Sequence, residues 1–266
     1  MKKDYAQLDG RSIYYEIHGS GSPLLLIAGL GSDSQSWATV LEGLAARHQV
    51  IVFDNRGVGR TQPMDGPLDI PGMAEDALAL LDHLNIPRAH VLGHSMGGMI
   101  ALELALRHPG RIVRLVLSAA AAKPSARDCA LMRSWVNTQR DGLPPKRWFE
   151  SILYWLFTEA FFESTQAVDE ALELALKYPW PQSPEAFASQ VEAIVAFDTV
   201  ERLSGLSPKT MILMGEQDIL FTPEKAMRDF IRIHGLRMHL IPNAAHSIHL
   251  EAPAPFTEAV LAFLGE

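Results

Sequence analysis

Five residues constrain this chain more than any others: Gly93-His94-Ser95-Met96-Gly97. They stand between a short apolar run, Ala89-His90-Val91-Leu92, and a long one from Ile100 to Leu106. A Gly-x-Ser-x-Gly at a strand-to-helix junction marks a turn so tight that the residues flanking the serine must be small. A larger side chain there would collide with the neighbouring strand or helix. The turn holds the serine hydroxyl clear of the backbone at the N-terminal end of the next helix, and Gly98 adds room for close packing. The bare pattern recurs by chance, but the strand–turn–helix setting makes Ser95 the candidate nucleophile.

The rest of the first half fits that setting. Strand-like segments at Ser12–Ile17, Leu24–Ile27, Val50–Phe53, Ala89–Leu92 and Val113–Leu117 alternate with helix-like segments at Trp37–Arg47, Met73–Leu84 and Met99–His108. From Leu24 onward the strands are continuously apolar, as in a parallel sheet buried on both faces. Such alternation predicts β-α-β units and a helix-covered sheet. The pattern resumes late, with strands at Thr210–Met214 and Met238–Ile241 and helices at Glu224–Ile233 and Phe256–Leu264.

Between these halves, residues 123–203 read as amphipathic helices with few strands. They carry Trp135, Trp148, Trp155 and Trp180, with breaks at Pro144-Pro145 and Pro179-Trp180-Pro181. We therefore expect a core of residues 1–122 and 204–266 and a helical cap of residues 123–203 over the carboxyl edge of the sheet.

A serine hydroxyl needs a base, and the base needs an orienting carboxylate. In strand-elbow folds the chain order is serine, acid, histidine. Asp218 follows the strand Thr210–Met214, and His246 follows Met238–Ile241, so both belong at the same sheet edge as Ser95. Glu216 is the weaker candidate for the acid. The preceding strand ends in Ser118-Ala119-Ala120, with no carboxylate. His94 should point away from the hydroxyl, and His249 and Glu251 are expected to support the site or lie on the surface. For a tetrahedral oxyanion we expect one donor in the Met96 N–H, at the helix N-terminus. The other is expected from Ala28-Gly29-Leu30-Gly31-Ser32, where two glycines allow close backbone approach. Leu30 N–H is the first choice and Gly31 N–H the alternative. Gly29, Gly31, Trp135 and Trp155 are the candidate substrate contacts.

The bulk numbers narrow the classes. A chain of 266 residues can bury a large α/β core, and 23 basic against 31 acidic residues argue against nucleic acid as a partner. With one cysteine, Cys129, an internal disulfide is ruled out, and the residue reads as packing. Two lysines near the N-terminus precede no apolar stretch, so a signal peptide is not expected. The longest apolar runs fall short of the ~20 residues of a membrane span. The expectation is a cytoplasmic enzyme with no membrane partner, no metal and no cofactor, since neither ligand-spaced clusters nor a nucleotide fingerprint occur.

Taken together, these residues resemble the α/β-hydrolase fold superfamily along nearly the whole chain. Asp54-Asn55-Arg56-Gly57-Val58-Gly59-Arg60-Thr61 is similar to the family's D-x-R-G-x-G-x-S segment, whose role is structural. Asn243-Ala244-Ala245-His246, with Glu251 and Pro253 downstream, resembles its histidine loop. The resemblance implies a mostly parallel, doubly wound eight-stranded sheet with helices on both faces, and a Ser95–Asp218–His246 triad. Ala28 stands where many members carry histidine. The loop Gly29–Asp33 and the stretch Phe197–Leu203 look more like small esterases and 3-oxoadipate enol-lactonases. A serine at the elbow, not an aspartate, disfavours a haloalkane dehalogenase. The resemblance further implies acyl transfer on a small ester or lactone by a monomer or homodimer. The alternatives are a narrow enol-lactonase or C–C bond hydrolase acting on an anion, or a non-catalytic binding relative. An inward cation among Arg127, Arg133, Arg140, Lys146 and Arg147 would favour the anionic substrate.

Overall fold

A computed structural model describes residues 1–64 and 66–265. Its strands are β1 (Lys2–Leu8), β2 (Arg11–His18), β3 (Ser22–Ile27), β4 (His48–Phe53), β5 (Ala89–His94), β6 (Ile112–Ser118), β7 (Lys209–Gly215) and β8 (Arg237–Ile241). They form one 8-stranded sheet in the order β1-β2-β4-β3-β5-β6-β7-β8. The β1–β2 and β2–β4 pairs are antiparallel, and all later pairs are parallel.

The helices are α1 (Ala38–Ala45), α2 (Ile70–His83), α3 (Met96–Arg107), α4 (Ala126–Arg140), α5 (Pro145–Leu156), α6 (Glu159–Glu163), α7 (Thr165–Leu176), α8 (Pro184–Val195), α9 (Pro223–Phe230), α10 (Ile248–Glu251) and α11 (Pro253–Leu264). Alternate strand residues face opposite sides, so the apolar strands feed two cores. Leu25, Ile27, Ile51, Phe53 and Val91 join a core with α2 and α3. Leu24, Leu26, Val50, Val52 and Leu92 join a second core with α1 and α11. The family's eight-stranded, doubly wound sheet is thus the observed one.

Two of the differences from the sequence expectation have local reasons. No strand was expected at Lys2–Leu8, where Ala6 alone is fully buried. An edge strand paired on one side needs no apolar face, so it leaves no alternating signal. The second helix starts at Ile70, three residues early, because the Asp69 side chain accepts from Gly72 N–H and proline occupies the first turn.

Five helices, α4 to α8, stand between β6 and β7; α4 packs against α5 and α8, and α5 against α7. Among the described residues, no helix is long and apolar enough to cross a membrane. Register at the centre of the sheet sets the height of two loops. Ile27 at the end of β3 lies opposite Gly93 of β5, so the loop after β3 begins level with the Ser95 turn.

Candidate active site

β5 ends at His94, α3 begins at Met96, and Ser95 between them has φ 54 and ψ −119. A serine in that region is strained by on the order of 1–3 kcal/mol. The turn persists because it is held on both sides. Ser95 N–H donates to the Ser118 carbonyl at 2.9 Å, and Gly98 and Met99 N–H donate back to the Ser95 carbonyl at 2.9 and 3.3 Å. A Cβ on Gly97 would collide with the Ile27 and Ala28 carbonyls, and one on Gly93 with the Gly97 peptide. The Met96 N–H, first of the helix, has no carbonyl one turn before it to accept its proton.

The three residues expected to work together are brought together. Ser95 Oγ and His246 Nε2 are 2.9 Å apart, and His246 Nδ1 and Asp218 Oδ2 are also 2.9 Å apart. Asp218 Oδ1 accepts from the N–H groups of Leu220 (2.9 Å) and Phe221 (3.0 Å), which fixes the carboxylate. Asp218 and His246 are each 2% exposed. A buried carboxylate at Nδ1 puts the imidazole proton there and leaves Nε2 to accept from the hydroxyl. Glu216, the competing acid, is exposed to solvent.

His94 donates through Nε2–H to the His246 carbonyl at 2.9 Å, and the two rings lie 5.1 Å apart. Burial, aided by His249 and His246, holds its pKa well below the usual histidine value. His249, in ring contact with His94 at 4.6 Å and with Trp37 at 4.9 Å, is pushed by burial to about 3. These two rings are neutral supports beneath the histidine loop. Asp54 and Arg60 also act structurally: Arg60 Nε lies 2.8 Å from Asp54 Oδ2, and Ser34 N–H donates to Asp54 Oδ1 at 3.1 Å.

The loop after β3 lies beside the elbow, where a Cβ on Gly29 would stand 3.2 Å from Ser95 Cβ. Gly31, at φ +68, does not have a free N–H. It donates at 3.1 Å to Oε1 of Gln190, a fully buried side chain of α8. Gln190 Nε2 donates to the Arg56 carbonyl (2.8 Å), and Gln182 Nε2 donates to Gln190 Oε1 (3.0 Å) and the Gly57 carbonyl (2.8 Å). Tyr178 donates to Asp33 just beyond. Sequence reasoning missed these side chains. One signal was available: Gln190 stands on the apolar stripe of α8 among Ala186, Phe187, Val191 and Ile194.

The histidine loop is held from the same five-helix segment. Glu251 Oε1 accepts from Thr158 N–H and Oγ–H, both at 2.8 Å, and Oε2 accepts from Ala245 N–H at 2.8 Å. Ser247 N–H donates to the Leu156 carbonyl at 2.9 Å. Both neighbours of His246 are therefore tied to the α5–α6 junction.

The aromatic candidates have packing duties. Trp135 is buried and its carbonyl accepts from Trp148 Nε1–H at 2.9 Å, while Trp155 lies 6.0 Å beneath the Arg127 guanidinium. Phe187 lies 3.8 Å from a Cβ built on Gly31. Arg127, Arg133, Arg140, Lys146 and Arg147 all have exposed side chains. Arg133 pairs with Glu192, and Lys146 and Arg147 with Glu150. Among the described residues, no three His, Cys, Asp or Glu side chains are grouped to hold a metal ion.

An elbow serine after β5, an acid after β7 and a histidine after β8, on a mostly parallel sheet with helices inserted between β6 and β7, define an α/β-hydrolase. The model of the α/β-hydrolase fold family matches residues 22–253, and the chain belongs to that family. It is 32% identical to a protein of Azorhizobium caulinodans named RutD and described as a candidate carbamate hydrolase, over 98% of both chains. Among solved structures it is similar to a thermophilic esterase from Thermogutta terrifontis (TM-score 0.87, 27% identity, 99% of this chain and 98% of that one). It is also similar to the enol-lactonase from Burkholderia xenovorans (TM-score 0.86, 28% identity, 98% of this chain and 100% of that one). The chain is a hydrolase of the α/β-hydrolase kind.

Proposed function

We propose that the protein is a serine hydrolase that cleaves carboxylic esters or lactones through an acyl-enzyme on Ser95. The observation that carries this reading is the unbroken, buried line of hydrogen bonds from Ser95 Oγ through His246 to Asp218. In the first half-reaction Ser95 Oγ attacks the carbonyl carbon as its proton passes to His246 Nε2. The oxyanion forms against the N–H groups of Leu30 and Met96, Gly31 N–H being engaged by Gln190. The C–O bond of the leaving alcohol then breaks, and that oxygen takes the proton from Nε2. Water repeats the sequence: His246 accepts its proton, hydroxide adds to the acyl carbon, and Ser95 leaves protonated with release of the acid. Asp218 stabilises the imidazolium at each stage.

The exposed, mostly paired cations of the helical segment favour an uncharged acyl group over an anionic ring. A second reading, cleavage of a carbamate, is favoured by the RutD relatives. The carbonyl of a carbamate is open to the same attack.

The test is turnover of short p-nitrophenyl esters, simple lactones, an anionic enol-lactone and aryl carbamates by wild type and Ser95→Ala. The expected result is hydrolysis of short neutral esters that disappears in the variant. Turnover that survives in Ser95→Ala would overturn the nucleophile, and turnover confined to carbamates or anionic lactones would overturn the substrate class.

A further inference from the structure

We infer that Gln190, on α8, is a positioning residue that sets the oxyanion hole from outside it. The inference rests on the serine-hydrolase reading above. Loops after central strands place their peptide groups by hydrogen bonding, and an unheld Gly-Leu-Gly stretch has many conformations of similar energy. Here Ser32 N–H closes a turn on the Gly29 carbonyl at 3.2 Å, and Gly31 N–H is taken up by Gln190 Oε1 at 3.1 Å. With those two groups committed, the Leu30 N–H between them is the donor assigned here to the oxyanion; it follows directly on Gly29, the loop residue set against Ser95. The Gly29 carbonyl and the Leu30 N–H share one peptide plane, which the Ser32 bond holds from its carbonyl side. Gln190 holds the middle peptide of the same turn, so it keeps the turn from flipping and opening and thereby keeps the Leu30 N–H where it is.

Gln190 can do this because its own amide is locked. Its Nε2–H is spent on the Arg56 carbonyl at 2.8 Å, which orients Oε1 toward Gly31 and excludes the flipped amide. Gln182 adds a second donor to the same oxygen at 3.0 Å. The side chain is wholly buried, so water does not compete for these bonds. Oxyanion stabilisation depends on donors fixed before charge develops. A residue that never touches substrate can therefore lower the barrier by holding the one that does.

The chosen readouts separate positioning from mere packing. Gln190→Leu removes both polar ends at similar volume. Gln190→Glu keeps an acceptor for Gly31 N–H and loses the donor to Arg56. We would measure ester kcat and KM, the second-order rate of Ser95 labelling by a fluorophosphonate (followed by intact mass), Ki for a trifluoromethyl ketone and the melting temperature. Loss of one oxyanion donor lowers rate by about 10²–10³, and misplacement should give part of that. Gln190→Leu is expected to lower kcat and the labelling rate by roughly 10–100-fold, to raise Ki by a similar factor and to leave KM within about threefold. Gln190→Glu, which keeps an acceptor for Gly31 N–H but sets a second oxygen against the Arg56 carbonyl, should label faster than Gln190→Leu and slower than wild type. A Gln190→Leu protein that melts lower yet labels and turns over like wild type would refute the inference and leave Gln190 a packing residue. So would a rise in KM alone, or no rescue by Gln190→Glu. Wild type that does not label at all would overturn the serine-hydrolase reading, and this inference would fall with it, whereas labelled wild type with unchanged variants would overturn this inference alone.

Discussion

Replacing Glu251 by alanine is expected to loosen the histidine loop and the α5–α6 junction together. The carboxylate accepts three hydrogen bonds of 2.8 Å, two from Thr158 and one from Ala245 N–H. Hydrogen bonds to a charged group contribute roughly 1.5–3 kcal/mol each. Glu251 is partly exposed, which points to the lower end, or about 4 kcal/mol for the set. For a chain of this size each kcal/mol moves the melting temperature by about 2–4 °C, so Glu251→Ala should melt roughly 8–16 °C below wild type. Glu251→Gln retains one oxygen but turns an NH2 group toward one of the donors, and should fall between the two. Calorimetry gives the melting shift, and a double-mutant cycle with Thr158→Val gives the coupling across the junction. Well below the melt, ester kcat should fall while KM holds, because His246 is flanked by the residues released. A Glu251→Ala protein melting within about 2 °C of wild type would show that this carboxylate ties nothing together, and the reasoning would fail.

Two more outcomes come from the packing. Gly97→Ala should lose roughly 3 kcal/mol or more, because its methyl would meet the Ile27 and Ala28 carbonyls, and backbone cannot yield as a side chain can; a soluble variant with wild-type melting would contradict this. Acid should destabilise the fold before most carboxylates titrate. His249 and His90 have folded-state values near 3 and 4, both lowered chiefly by burial, against about 6.5 when unfolded. The unfolded chain therefore takes up protons first. The stability is whole above pH ~6.5 and is lost as pH falls toward 4 for His90 and 3 for His249, at roughly 1.5–2 kcal/mol per histidine between about pH 6.5 and 5. Urea melts at those two pH values check this, and equal stability would refute it.

The parts of the site governed by chain order were readable in advance, and those governed by side-chain geometry were not. Ser95, Asp218 and His246 each follow a strand, and a parallel sheet brings the ends of its strands to one edge whatever lies between. Gln190 sits in a helix whose pattern looks ordinary, and Glu251, though named beside His246, gave no sign of its partner. Their partners are 159 residues away at Gly31 for one and 93 away at Thr158 for the other. No local periodicity records contacts of that range. Sequence put Leu30 ahead of Gly31 as the proposed donor, but glycine spacing could not foresee that the Gly31 N–H is taken by Gln190, a side chain in another layer. β1 escaped notice for the opposite reason, being so exposed that it needs no pattern.

The ties between the inserted helices and the two loops bear on how such a protein can diverge. An insertion resting on a finished catalytic core could be exchanged for another, changing what is bound while leaving the rate of bond cleavage alone. Here Gln190 and Thr158 reach from the insertion into the loops on either side of Ser95, so a transplanted insertion would arrive without the contacts its new host needs. Selectivity and rate are then inherited as one unit, and change in either must pass through sequences that preserve both junctions.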